Sequence, residues 1–203
     1  ALAEEGASEI ISIHISSSLS AISNVARIAA AETTSVPVTV LDSRSLSMGT
    51  GFLVQTAAEL AKTGRTVKEI LKTLESQIKR THVWAALDTL TYLRRSGRMN
   101  PFLSTIGELI QIKPILKMND GISGVERVRT HKHAFTRLLH MLHTLSPFEK
   151  LAFLHSNALD QAEALKNEVR DLYAGLETWI GIVNPVLGSH LGPGVVGFAC
   201  VKK

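Results

Sequence analysis

Ser16, Ser17, Ser18 and Ser20 stand between an alternating strand pattern, Glu9 to Ile15, and a helically spaced run through Leu19, Ile22, Val25, Ile28 and Ala29. Where a strand gives way to a helix, unpaired backbone N–H groups and the positive end of the helix dipole favour an anion. A carboxylate suits such a place, although a serine that merely caps the helix accounts for the same local pattern. Far along the chain, His190 lies in Gly188-Ser189-His190-Leu191-Gly192-Pro193-Gly194, read as a rigid glycine and proline loop that holds an imidazole close to a ligand. Its ring can donate a hydrogen bond to a carboxylate. A serine with a histidine is also a nucleophile with its base, which leaves a serine-dependent hydrolase or acyltransferase acting on acyl substrates as the alternative. No nucleophile-elbow motif supports that alternative.

Other chemistry finds less support. His131, His133, His140 and His143 fall in or beside one helix without a matching carboxylate or cysteine motif, so no metal is expected. The Gly188 to Gly194 segment lacks the spacing of phosphate-binding glycine motifs, has no Lys-Ser/Thr ending, and predicts no nucleotide site. Arg94, Arg95, Arg98 and Lys113 offer cations to an acidic partner or a phosphate, or form an ordinary solvated face.

These residues need elements to hold them. With 203 residues, 45% of them hydrophobic, the chain can bury a sizeable core. Aromatics are only 5% and the net charge is +4, spread over scattered basic residues, which argues against nucleic-acid binding. No apolar run approaches the roughly 20 residues of a membrane span, and no signal peptide is read at the start, so a cytoplasmic protein without an integral membrane segment is expected. Cys200, alone in the apolar run Val195 to Val201, reads as a buried thiol in a reducing compartment.

Further strands are read at Val36 to Leu41 and Thr81 to Leu87, with helices at Phe52 to Lys62 and from Thr66, where Glu69 completes a capping box. Strands alternating with helices predict an α/β fold with a mostly parallel sheet flanked by helices. Asp88 is expected to cap the helix carrying Tyr92 and Leu93. Gly97 marks a boundary between an N-terminal α/β domain, 1–97, and a C-terminal α+β domain, 98–203. The latter contains a helix at Thr105 to Gln111, a hairpin of Ile112 to Met118 and Gly124 to Arg129 around Asp120-Gly121, and helices at Lys132 to Leu145 and Ala158 to Tyr173. Strands at Leu151 to His155, Glu177 to Val183 and Val195 to Val201 complete it. No linker rich in Gly and Ser separates the halves, so a cleft between closely packed domains is expected.

Ile15-Ser-Ser-Ser-Leu-Ser20, Asp88-Thr-Leu-Thr-Tyr-Leu-Arg-Arg-Ser-Gly-Arg98, Ile112-Lys-Pro-Ile115 with Asp120-Gly121 and Arg129-Thr130, and Gly188-Ser-His-Leu-Gly-Pro-Gly194 together resemble the DegV family. After Leu19-Ser20 the family typically continues Gly-Thr-Tyr, where this chain has Ala21-Ile22-Ser23, and Ser96 replaces a usual glycine. The family also usually carries a further segment, with a strand and a Thr-containing loop, before the first strand read here, so the chain looks N-terminally truncated. The resemblance implies a long-chain fatty acid in an apolar tunnel in the interdomain cleft. It implies no catalytic residue and no cofactor, with ligand contacts from Ser16, Ser17, Ser20, His190 and Gly192. It further implies presentation of the carboxylate to a separate ATP-dependent fatty-acid kinase of bacteria, with Arg94, Arg98 and Arg129 facing that partner.

Overall fold

The alternating residues at the start of the chain form β1 (Ile10–His14), which pairs in parallel with β2 (Val38–Asp42), Ile10 opposite Val38 and His14 opposite Asp42. The crossover is α1 (Ile22–Glu32). This is a computed structural model, and it describes residues 2–99 and 112–203. Ser23, Ala26 and Ala30 are the more covered positions of α1, while Ile22, Val25 and Ile28 remain 45%, 57% and 64% exposed. The helical spacing therefore identifies the helix, but its small-residue face is the one covered by the rest of the fold.

After β2 the chain forms α2 (Ser47–Lys62), a turn and more longer than the pattern from Phe52 suggests, and then α3 (Val67–Arg80). Thr66 and Glu69 make the expected capping box: the Glu69 amide donates to Thr66 Oγ1 at 3.3 Å and the Thr66 amide donates to Glu69 Oε2 at 2.9 Å. Leu53 and Ala57 of α2 and Ile70, Leu74 and Ile78 of α3 form a small core against Ile11, Ile13 and Leu41.

Directly after α3, β3 (Thr81–Ala86) enters a six-stranded sheet with β4 (Lys113–Asn119), β5 (Ile122–Val128), β6 (Phe148–Ser156), β7 (Thr178–Ile182) and β8 (Val195–Lys202). The order is β5-β4-β3-β8-β6-β7, parallel at β6/β7 and antiparallel elsewhere. The fold is thus α/β with helices flanking a mixed sheet. The strand grouping changes between α3 and β3, so a division at 97/98 cuts through the larger sheet: β3 is flanked by β4 and β8 and belongs with the second half.

Alternation along β3 sorts its side chains between two cores. Val83 packs with Phe52, Met118, Leu154 and Val195 on the face towards α2, whereas Trp84 and Ala86 pack with Ile115, Phe153 and Phe198 on the other. That second face is covered by α5 (His131–Leu145), through Leu138 and Leu142, and α6 (Leu159–Glu168), through Ala162 and Leu165. The helix expected to run from Ala158 to Tyr173 ends at Glu168 and is followed by a 3-10 turn, Arg170–Tyr173. Asp120 and Gly121, with φ of 47° and 79°, form the tight turn between β4 and β5.

Two short helices complete the described elements, α4 (Thr91–Arg95) and α7 (Pro185–Leu191). Asp88 does not cap α4: the Thr91 amide donates to Thr89 Oγ1 at 3.1 Å, and the Asp88 carboxylate instead pairs with Lys113 at 3.5 Å. The Gly188 to Leu191 stretch is not loop but the second half of α7, which Asn184 caps by accepting from the Leu187 amide at 2.9 Å with Pro185 in the first turn. The expected helix at Thr105 to Gln111 lies outside the described residues.

Candidate functional site

Both parallel strands end in polar loops, from which Leu19, Ser20, Leu46 and Ser47 reach one cavity lining. Between those loops and the α2-facing side of the larger sheet lies a cavity of about 560 Å3, in the range of small-molecule sites. Val83, Ala85, Leu116, Met118, Leu154 and Val195 of the sheet supply apolar wall, with Ile13, Leu19, Ile22 and Leu46 opposite. Ser20, Ser47, Thr50, Arg98 and His190 bring polar groups to the same lining.

His190 is carried by α7, and its Nδ1 is buried with no hydrogen-bond partner among the described residues. A buried ring nitrogen without a partner costs free energy, and the ring that carries it lines the cavity. Gly192 ends α7 at φ 82°, and a Cβ there would stand 2.3 Å from the Tyr92 ring. Glycine thus lets α4 pack on the end of α7 and fixes the helix that carries His190.

Of the serines, Ser20 lines the cavity and its Oγ accepts from the Ile22 amide at 3.3 Å. Ser16 is buried, and its Oγ is 2.9 Å from Ser18 Oγ. Ser17 is exposed and its amide donates to Asp42 Oδ2 at 3.1 Å. Burial alone would raise the Asp42 pKa, but hydrogen bonds from Ser17 and the Arg44 amide outweigh it and hold the carboxyl below its ordinary value. The cavity therefore brings together Ser20, His190 and Arg98 from the expected set. Ser16 and Ser17 stand in the adjoining loop. Gly192 lines a second, more open depression beside α7 with Tyr92 and Pro185. Arg94 and Arg129 are exposed and lie outside the cavity lining.

Sequence reading missed Leu46, Ser47 and Thr50, although Asp42-Ser43-Arg44-Ser45 repeats the strand, serine loop and helix order that drew attention to Ser16 to Ser20. It also placed Arg98 with the partner-facing cations and not in the cavity wall. No serine in the described residues hydrogen-bonds His190, so a preassembled nucleophile and base are not seen. Among those residues no group of His, Cys, Asp or Glu is placed to hold a metal ion, and no helix is long and apolar enough to cross a membrane. Cys200 is fully buried in β8, and burial pushes its thiol up to about 12.

Known proteins give this geometry a family. A family model described as "Uncharacterised protein, DegV family" matches residues 1–203. A DegV domain-containing protein of Streptomyces coelicolor is 37% identical over 201 residues, spanning 97% of this chain and 71% of that protein. The crystal structure of DegV from Bacillus subtilis, described as a fatty acid binding protein, is similar at a TM-score of 0.88 and 30% identity, covering 99% of this chain and 73% of that one. A DegV family protein from Thermus thermophilus, described by its fatty acid binding, is similar at a TM-score of 0.87 and 32% identity, covering 100% and 74%. With the whole chain matched and the fold shared, the chain belongs to the DegV family.

Proposed function

We propose that the protein binds a long-chain fatty acid in the cavity between its two sheets and presents the carboxylate to a separate, ATP-dependent fatty-acid kinase. The observation that carries the reading is an apolar cavity of about 560 Å3 whose lining brings Ser20, Arg98 and His190 to one place. Each methylene taken out of water contributes roughly 0.8 kcal/mol, so an acyl chain against Val83, Leu116 and Met118 supplies most of the affinity. Ser20 and His190 then orient the acid group by hydrogen bonds, with Arg98 as countercharge. Ser16 and Ser17 act through the loop they hold, and Gly192 acts by seating α7.

Exposed Arg94 and Arg129 fit a role in steering an acidic face of the kinase, since such charges govern encounter more than affinity. The protein carries substrate, and phosphoryl transfer belongs to its partner.

Native mass spectrometry of the purified chain, followed by denaturing lipid extraction, tests the reading. The expected result is one fatty acid per chain, lost or strongly reduced in His190→Ala and weakened in Ser20→Ala. A chain that neither retains nor takes up added oleate overturns it.

A further inference from the structure

Three loops meet beside the cavity. The Arg44 guanidinium, in the loop between β2 and α2, pairs with Asp120 at the tip of the β4–β5 hairpin, Nη1 to Oδ1 at 2.9 Å. The Gly121 amide donates to the Arg44 carbonyl at 2.8 Å. From the loop between β1 and α1, the Ser18 hydroxyl donates to the Gly121 carbonyl at 3.3 Å. One turn of the larger sheet is therefore held by both loops of the smaller one.

Each partner sits next to cavity wall in the chain. Leu19 and Ser20 follow Ser18, Leu46 and Ser47 lie just beyond Arg44, and Met118 and Ser123 flank the turn, all in the cavity lining. The hairpin side is anchored where α3 runs into β3, because Asn119 Nδ2 donates to the carbonyls of Lys79, in the last turn of α3, at 3.1 Å and of Thr81 in β3 at 2.9 Å. The two loops are instead coupled to each other: Asp42 accepts from the amides of both Ser17 and Arg44, at 3.1 and 2.8 Å. The two loops are thus tied to each other as well as to the hairpin.

The contact is also one that breaks readily. Arg44 and Asp120 side chains are 54% and 33% exposed, so their attraction is weakened by water and screened by salt. Arg44 holds left-handed backbone at φ 50°, a conformation that few residues other than Gly, Asn and Asp adopt without support from surrounding contacts.

We infer that this clasp is the gate of the cavity: closed, it seals the wall between the serine loops and the β4–β5 hairpin, and parted, it lets the ligand enter and leave. The inference rests on the fatty-acid reading and adds to it the route and control of exchange. Gate and pocket are separate machinery, so weakening the clasp changes the rates of uptake and release together and moves the equilibrium constant little.

The test follows the release of cis-parinaric acid by its fluorescence when excess oleate is added. Arg44→Ala is expected to speed release by roughly 3- to 5-fold, the rate equivalent of a surface ion pair. Added salt speeds release from the parent chain and has little further effect on the variant. A covalent lock guards against an indirect effect of the substitution. A Cβ built on Gly121 stands 3.5 Å from Arg44 Cβ, within the range of about 3.5–4.5 Å that a disulfide spans, and because Gly121 holds φ 79° and a side chain there strains the turn, the reduced double variant must first bind the probe as the parent does. Arg44→Cys with Gly121→Cys, oxidised, is expected to slow uptake and release by about tenfold or more, with dithiothreitol restoring both. Buried Cys200 does not compete for the crosslink. Equal rates in the oxidised and reduced protein, both binding the probe, overturn the gate and leave the fatty-acid reading standing. A parent chain that binds no parinaric acid overturns both.

Discussion

The two sheets use similar strand sequences to different ends. In β8 every residue from Val195 to Val201 is buried, whereas every residue of β1 and β2 is only partly covered. Helices α5 and α6 close one face of the six-stranded sheet around fully buried Phe153 and Phe198, while α1 turns Ile22, Val25 and Ile28 outward from the smaller unit. Stability is concentrated in the large sheet, and the serine loops of the site stand on the part with less burial behind it. Regions with few buried contacts open locally at lower cost than the core, which is where a cavity that must admit a long ligand needs its movable wall.

The sharpest way to break this contrast is to damage both cores. Phe153→Ala removes a fully buried ring that meets Tyr173 edge to face at 6.1 Å, and is expected to cost about 3–5 kcal/mol and unfold the whole chain at a lower urea concentration. Leu53→Ala, fully buried in the smaller core, is expected to cost less, about 2–3 kcal/mol, because its half-covered surroundings can collapse. Hydrogen exchange then separates the two: the Leu53 variant loses protection in β1, β2, α2 and α3 while β6 and β8 keep theirs. Uniform loss of protection from either substitution would show one cooperative unit and remove the contrast.

Much of this was legible in the sequence where a local signal decides a local outcome. Asp120-Gly121 specifies its turn, Thr66 and Glu69 specify a helix start, and the apolar run at Val195 specifies a buried strand. What a strand pairs with is another matter: Thr81 to Ala86 is covered on both faces and reads alike in a parallel or an antiparallel sheet. In α1 the apolar spacing marks the helix but not its covered face, which is formed by Ser23, Ala26 and Ala30. In α7 the glycines hid a helix that Asn184-Pro185 announces. Which of several neighbouring serines faces a cavity depends on tertiary hydrogen bonds, here Ser17 to Asp42, that no spacing encodes.

Acid tests what charge pairing adds to the larger sheet. Glu126 of β5 accepts from Arg137 Nε at 2.7 Å and from Lys117 Nζ at 3.2 Å, and those bonds, led by Arg137, hold its carboxyl below the ordinary value despite partial burial. A carboxylate with a lowered folded pKa stabilises the fold above its unfolded pKa of about 4.3, and that contribution is lost as pH falls through the folded value. Glu126→Gln is accordingly expected to cost about 0.5–1 kcal/mol at pH 7 and progressively less below pH ~4. Thermal melts at both pH values check this, and an equal cost at the two would mean that charge pairing is not what Glu126 contributes.

The smallest effect is expected on the exposed side of α1. Ile28 is 64% exposed, so Ile28→Ser gives up little buried area and should leave the melting free energy within about 0.5 kcal/mol of the parent, the usual range for surface positions. Its effect should instead appear at the surface, since Ile22, Val25 and Ile28 lie on one face of the helix and form an apolar stripe. Binding of an apolar fluorescent dye should fall in the variant while fatty-acid retention stays unchanged, because Ile28 is absent from the cavity lining. A destabilisation of about 2 kcal/mol or more would mean that Ile28 is packed as a core residue is, and the smaller unit would then have to be counted as fully built.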